Sequence, residues 1–253
     1  MTLVLPPLGA ANSRKQARSM VISQRGIAAT SQTLASQAAA QVLARGGSAV
    51  DAAIAANAVL TVVEPMMNGM GGDLFAIVRE AATGEVVGLN ASGWAPRRLT
   101  IELLREKGYA SMPQEGIFSV TVPGCVDGWE KLHRRYGKLP WAELFRPAIY
   151  YAEQGFPLTE WIETYWSGAV EKLRNEPDAA RLFLPGGKPP GVGDLFRNPD
   201  LGKALRLVAE GGAKAFYEGP IAEAMLRTSA RRGGVLEADD LTDFSSEWVK
   251  PIT

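Results

Sequence analysis

Cysteine and histidine are almost missing from this sequence, with one of each, Cys125 and His133, in 253 residues. A lone cysteine cannot close an intrachain disulfide, so the covalent chemistry demands no oxidising compartment. A lone histidine leaves no second imidazole for a His-based metal cluster, and the acidic residues show no EF-hand-like spacing. Net charge is missing too: 27 Lys+Arg balance 27 Asp+Glu, which removes the basic footprint of a nucleic-acid binder. No run approaches the roughly 18 apolar residues of a membrane span. At the N-terminus, Leu3-Val4-Leu5 stops at Pro6-Pro7 and precedes Arg14, Lys15 and Arg18, the reverse of a signal peptide. The expectation is a cytoplasmic protein with no cofactor and no nucleic-acid or membrane partner, whose residues 1–19 form a flexible arm.

What is present suits an ordinary globular core: 46% of residues are hydrophobic and 21% charged, which excludes global disorder. From Thr30, Leu34, Ala38 and Val42 recur every four residues on one helical face, and Gly46-Gly47 supplies a stop. Ser48 to Asp51 has the form of a capping box, opening an alanine-rich helix that runs to Glu64 before Pro65. Leu74–Val78 and Val86–Asn90 read as a β-hairpin around Thr83-Gly84. A short strand is expected over Ser119–Val122 and helices over Val126–Tyr136 and Trp141–Gln154, with Pro147 bending the second or marking its start. Asn198-Pro199 opens a helix that Gly211-Gly212 should stop, and Gly219-Pro220 opens another reaching about Arg231. The Pro- and Gly-rich stretch 181–197 reads as a long surface loop and the best internal boundary. Trp248 to Ile252 reads as the beginning of an extended segment.

Few residues offer chemistry by themselves. The loop MMNGMGGD precedes the hairpin, whereas a dinucleotide fingerprint follows a strand and opens a helix, and the Gly-Lys-Ser/Thr ending of a P-loop is absent. It is read as a turn that needs positive φ or close approach of another segment. His133 reads as a residue on the solvated face of its helix, and with no G-x-S-x-G elbow a serine hydrolase has no footing. Cys125 is either a small buried side chain or, at a helix N-terminus, a thiolate nucleophile. Thr2 is a candidate N-terminal nucleophile only if Met1 is removed.

The order of several strings along the chain says more than any one of them. GGSAVDAAIAAN from Gly46, VVEPMMNGMGGDLFAIV from Val62 and VPGCVDGW from Val122 are followed by YGKLPWAELFRPAI from Tyr136. NPDLGKAL from Asn198, AFYEGPIAEAM from Ala215 and GGVLEADDLTDF from Gly233 complete the series. In that order the sequence resembles the γ-glutamyltransferase (γ-glutamyltranspeptidase) family, in the part that becomes the large subunit.

The resemblance implies an α+β fold, the four-layer αββα sandwich of N-terminal-nucleophile hydrolases, with residues 20–253 supplying mainly helices and a few sheet strands. It also implies a precursor that cleaves itself into two subunits. The nucleophile, a threonine exposed at the start of the small subunit, has no match in this chain, so no catalytic residue is assigned here and the fragment alone is expected to be inactive. The implied partners are the small subunit and a γ-glutamyl small molecule. Family members grip the substrate α-carboxylate with an arginine in an R-E-x-A-P context, and here Asn90-Ala91-Ser92-Gly93-Trp94-Ala95-Pro96 puts Ser92 at that position. Ser92, with Arg97 and Arg98 as possible replacements for the missing guanidinium, is the expected substrate-binding set. Two alternatives stay open: a related amide acylase of the β-lactam acylase type, and a non-catalytic binding module descended from the family. An isolated chain of this kind is expected to expose the apolar face that meets the missing sheet.

Overall fold

The computed structural model describes residues 20–252, so the N-terminal arm, Thr2 and Thr253 lie outside the described residues. Helix α1, Thr33–Ala44, is N-capped by Gln32, whose side chain accepts the Leu34 N–H. It buries Ala35, Ala38, Ala39 and Val42, while Leu34 is only half-buried. Helix α2, Ala49–Val63, starts with the expected capping box: Asp51 N–H donates to Ser48 Oγ at 2.9 Å and Ser48 N–H to Asp51 Oδ2 at 2.8 Å. Being apolar nearly all round, α2 forms the centre of the helical layer, and its alanines let α1 and α5 approach closely.

Strands β1, Leu74–Arg79, and β2, Val86–Ala91, form the expected antiparallel hairpin, with Leu74 opposite Ala91 and Arg79 opposite Val86. A short helix α3, Ile101–Glu106, follows. Ser119–Val122 is not a strand: Ile117–Ser119 makes a 3-10 turn, and the extended residues after it gain a backbone bond from Val122 N–H to the Trp94 carbonyl rather than a ladder. Helix α4, Cys125–Tyr136, ends at Gly137 as expected, and α5, Trp141–Gln154, carries Pro147 inside rather than at its start.

Residues 155–197 hold more structure than the sequence suggested. Strand β3, Phe156–Pro157, leads to α6, Glu160–Gly168, α7, Val170–Arg174, and α8, Pro177–Phe183; β4, Leu195–Phe196, then pairs with β3. The stretch 181–197 is largely exposed, as a surface loop should be, but buried Leu184 and Phe196 anchor it, Phe196 packing edge-on against Phe156, so it marks no gap in the core. Helix α9, Pro199–Tyr217, begins at the Asn198 cap. Gly212 does break it, with φ 65° and ψ −160°, yet Glu130 Oε1 accepts the Ala213 N–H at 3.0 Å and helical structure restarts at once. Helix α10, Pro220–Arg231, and α11, Ala238–Thr242, precede β5, Glu247–Val249, which extends the sheet in the order β1-β2-β5.

The sheet has two unlike faces. Towards the helices, Leu74, Ala76 and Val78 alternate with outward residues, and Gly128 of α4 lies against Leu74 and Ala91. Asp127 holds β5 down by accepting the Ser246 N–H at 2.8 Å together with its hydroxyl, and Arg135 stacks on Trp248. The opposite face carries Phe75, Ile77, Val86 and Val249, and the first two are 69% and 75% exposed. Among the described residues, where the small β3–β4 pair is the only other sheet, the three-stranded sheet β1-β2-β5 thus packs one face on the helical layer and leaves its other face bare. Among the described residues no helix is long and apolar enough to cross a membrane.

His133 is not on a solvated face. It is half-buried, its ring meets Trp141, and Nε2–H donates to the Leu139 carbonyl at 2.8 Å, 3.9 Å from Asp51 Oδ1. Helix periodicity placed it among charged neighbours, but the turn after Gly137 folds back over it. That turn is held by Asp51, fully buried, whose Oδ2 also accepts the N–H groups of Lys138 and Leu139 at 2.9 and 3.1 Å. Asp51→Ala removes the acceptor of three backbone donors and is expected to cost about 3 kcal/mol or more. A urea titration reads this as a lower midpoint at unchanged slope; a loss below about 1 kcal/mol would mean that water replaces the carboxylate.

Candidate acyl-facing site

The site is assembled where three backbone segments meet at one end of the β1–β2 hairpin. Asp73 immediately precedes β1 and Ser92 immediately follows β2, so the hairpin register brings the glycine loop and the Ser92 strap together. Gly93 N–H donates to Asp73 Oδ1 at 2.8 Å, and Ser92 N–H to Asn90 Oδ1 at 3.0 Å. The Gly72 carbonyl accepts both the Gly124 and Cys125 N–H groups, at 3.0 and 2.9 Å, tying the glycine loop to the start of α4.

These contacts leave no space for side chains. A Cβ on Gly93 would lie 1.8 Å from the Val122 carbonyl oxygen, and one on Gly124 would lie 2.0 Å from that of Ala91. The close approach expected at the glycine loop falls instead on Gly93 and Gly124: Gly69, Gly71 and Gly72 have negative or extended φ and room for a Cβ, and the loop's part in the junction is the Gly72 carbonyl.

Ser92 is half-buried and Asp73 exposed at this junction. Arg97 and Arg98, grouped with Ser92 from the sequence, turn elsewhere. Arg97 pairs with Asp243 at 2.8 Å and Arg98 with Glu237 at 2.9 Å, all four side chains being at least half exposed. Asp240 accepts the Arg97 N–H at 3.0 Å and the Glu237 N–H at 2.9 Å, so the strap 92–98 is fastened to α11. Trp94 packs on Phe244 with centroids 5.2 Å apart, and Phe244 stacks on Tyr217, whose hydroxyl donates to the Pro123 carbonyl at 2.7 Å.

Cys125 lies under the junction, 2% exposed, with Asn57 Oδ1 3.7 Å from its Sγ. Burial, then the nearby Asp73 carboxylate, push its thiol above the ordinary range. Of the two readings of Cys125, the buried thiol stands and the thiolate nucleophile falls, because burial, with the charge of Asp73 added to it, outweighs any help from the helix N-terminus. Asn57 is also the acceptor for Trp129 Nε1–H at 2.8 Å. Among the described residues no group of three or more His, Cys, Asp and Glu side chains is placed to hold a metal ion. Among the described residues the junction brings together no nucleophile–base pair.

A family model described as Gamma-glutamyltranspeptidase matches residues 35–253. The chain belongs to the γ-glutamyltranspeptidase family. It is 36% identical over 234 residues to the glutathione hydrolase-like YwrD proenzyme of Bacillus subtilis, a match covering 92% of this chain and 44% of that protein. The γ-glutamyltranspeptidase of Helicobacter pylori aligns with a TM-score of 0.88 at 32% identity, over 92% of this chain and 68% of that one. The cephalosporin acylase of Bacillus halodurans aligns at 0.85 and 38% identity, over 94% and 47%. The chain spans less than half the length of the curated relatives it matches. It is the N-terminal, large-subunit part of the family fold, α+β and mostly helical as expected.

Asp73, Asn90 and Asp240 were not picked out from the sequence. The signal that finds Asp73 is register: pairing β1 with β2 places it across from Ser92. Gly124→Ala is expected to lower stability by about 1–3 kcal/mol through overpacking against Ala91. Gly71→Ala, where a Cβ meets nothing within 4 Å, is the control expected to leave the thermal midpoint nearly unchanged. Equal midpoints for the two variants would contradict the crowded junction.

Proposed function

We propose that this chain is the large-subunit portion of a self-processing γ-glutamyl transferase or hydrolase acting on glutathione-like γ-glutamyl amides. The observation that carries the proposal is the combination of family membership over residues 35–253 with a bare sheet face ending at Ser92. In this reading the rest of the precursor supplies the second sheet and the threonine nucleophile, and residues 20–253 form one domain portion that is inactive without it. The threonine hydroxyl attacks the amide carbonyl while its own α-amine takes the proton; the leaving amine departs with a proton, and the ester is released by water or by an acceptor amine. Ser92 faces the acyl group and offers a neutral hydroxyl. For Arg97 and Arg98 to bind a substrate carboxylate they must leave Asp243 and Glu237, exchanges that exposed pairs make at little cost.

The ion pairing of both arginines and the neutral Ser92 favour a second reading, an amide acylase whose acyl group lacks the glutamyl α-carboxylate. That reading is in keeping with the likeness to a cephalosporin acylase.

The test is hydrolysis of γ-glutamyl and 4-aminobutyryl p-nitroanilides, the second lacking only the α-carboxylate, by the purified product of the complete gene. The first reading expects the γ-glutamyl anilide to be cleaved faster, and expects Arg97→Ala or Arg98→Ala to raise KM about tenfold for it through loss of a charged hydrogen bond. Equal rates with both anilides rule out the relocated carboxylate anchor and favour the acylase. No cleavage of either, in an unprocessed polypeptide, favours the binding module.

A further inference from the structure

Two backbone N–H groups, on Ser92 and Gly93, follow β2 at the end of the hairpin. Both are already taken by side-chain acceptors, Asn90 Oδ1 at 3.0 Å and Asp73 Oδ1 at 2.8 Å. The strap's own cations are also taken, by Asp243 and Glu237. What faces outward is an acceptor-rich edge: the Asn90 amide, the Ser92 hydroxyl and the exposed carboxylate of Asp73. Among the described residues Asp73 Oδ2 accepts no hydrogen bond and no cation pairs with Asp73. Asp73 therefore brings an uncompensated negative charge to this edge while its other oxygen fixes the backbone beside Ser92.

We propose that Asp73 is a specificity-determining residue, selecting an acyl group that presents an ammonium or amide N–H at this edge and rejecting one that presents a carboxylate. The proposal rests on the reading that the Ser92 edge faces the acyl group. It departs from the first functional reading in the sign of the charge it favours. A carboxylate here meets like charge and occupied donors, so it loses its hydration without replacement. A ligand N–H meets Asp73 Oδ2 in a charge-assisted hydrogen bond, about twice as strong as a neutral one.

The test uses the mature product of the complete gene with four p-nitroanilides that share a butyryl chain and differ in what its C4 carries: 4-aminobutyryl an ammonium, butyryl neither group, glutaryl a carboxylate and γ-glutamyl both. Wild type is expected to show a kcat/KM for the 4-aminobutyryl substrate about tenfold above butyryl, with glutaryl the poorest. Asp73→Asn keeps an oxygen to accept the Gly93 N–H and removes only the charge. It should cut the preference for 4-aminobutyryl over butyryl about tenfold and raise glutaryl relative to butyryl. Parallel losses on all four substrates would reduce Asp73 to a strap holder and overturn the proposal, as would a wild-type preference for glutaryl. If no anilide is cleaved, calorimetric titration of the same protein with 4-aminobutyramide and glutaramate separates the two ideas. An Asp73-dependent preference for the amine there overturns the amidase reading and upholds Asp73, and no preference overturns Asp73 as well.

Discussion

Three backbones meet at the end of the β1–β2 hairpin with no room for a methyl group on Gly93 or Gly124, and most of the site follows from that crowding. Close contact lets the Gly72 carbonyl reach two N–H groups at the start of α4, and lets Asp73 reach the N–H of Gly93. The strap carrying Ser92 is fixed from below by the helix, from one side by the glycine loop and from the other by α11. A binding edge set by packed backbone can hold a ligand group at a definite distance, which a mobile loop cannot.

The rest of the fold serves that edge. Helix α2 fills the centre of the helical layer, α4 lies between that layer and the sheet, and Asp127 ties β5 onto α4. The bare sheet face has two regions: Phe75, Ile77, Val86 and Val249 form an apolar area suited to burial, whereas Asp73, Asn90 and Ser92 gather polar groups at one end. An apolar field ending in a polar edge is what a sandwich interface with a ligand site at its rim requires.

Much of this was legible in the sequence wherever local chemistry decides the backbone. The Ser48–Asp51 capping box, the β1–β2 hairpin, the Asn198 cap and the extended residues around Trp248 all appear as expected, because caps, alternation and turns are short-range signals. The misreadings share a cause in distant partners. Val122 finds one acceptor in Trp94 where a strand needs a ladder, and His133 is covered by a turn that Asp51 draws in; the break expected at Gly212 is there, and what was missed is the restart that Glu130 caps. Phe196 returns to pair beside Phe156 across forty residues of helix and loop, which no local pattern announces. At the site, Ser92 was found through the family strings, whereas Asp73 needed the strand register and the ion pairs of Arg97 and Arg98 needed α11 in place.

The central claim is that the sheet is one half of a sandwich, completed by the remainder of the precursor. Thiol labelling of Ile77→Cys, read at residue 77 by peptide mass, tests it most directly, because the one cysteine of this chain, Cys125, is buried. Labelling is predicted to be fast in the chain alone and strongly suppressed in the mature product of the complete gene. Equally fast labelling in both would leave this face open to solvent and contradict the account.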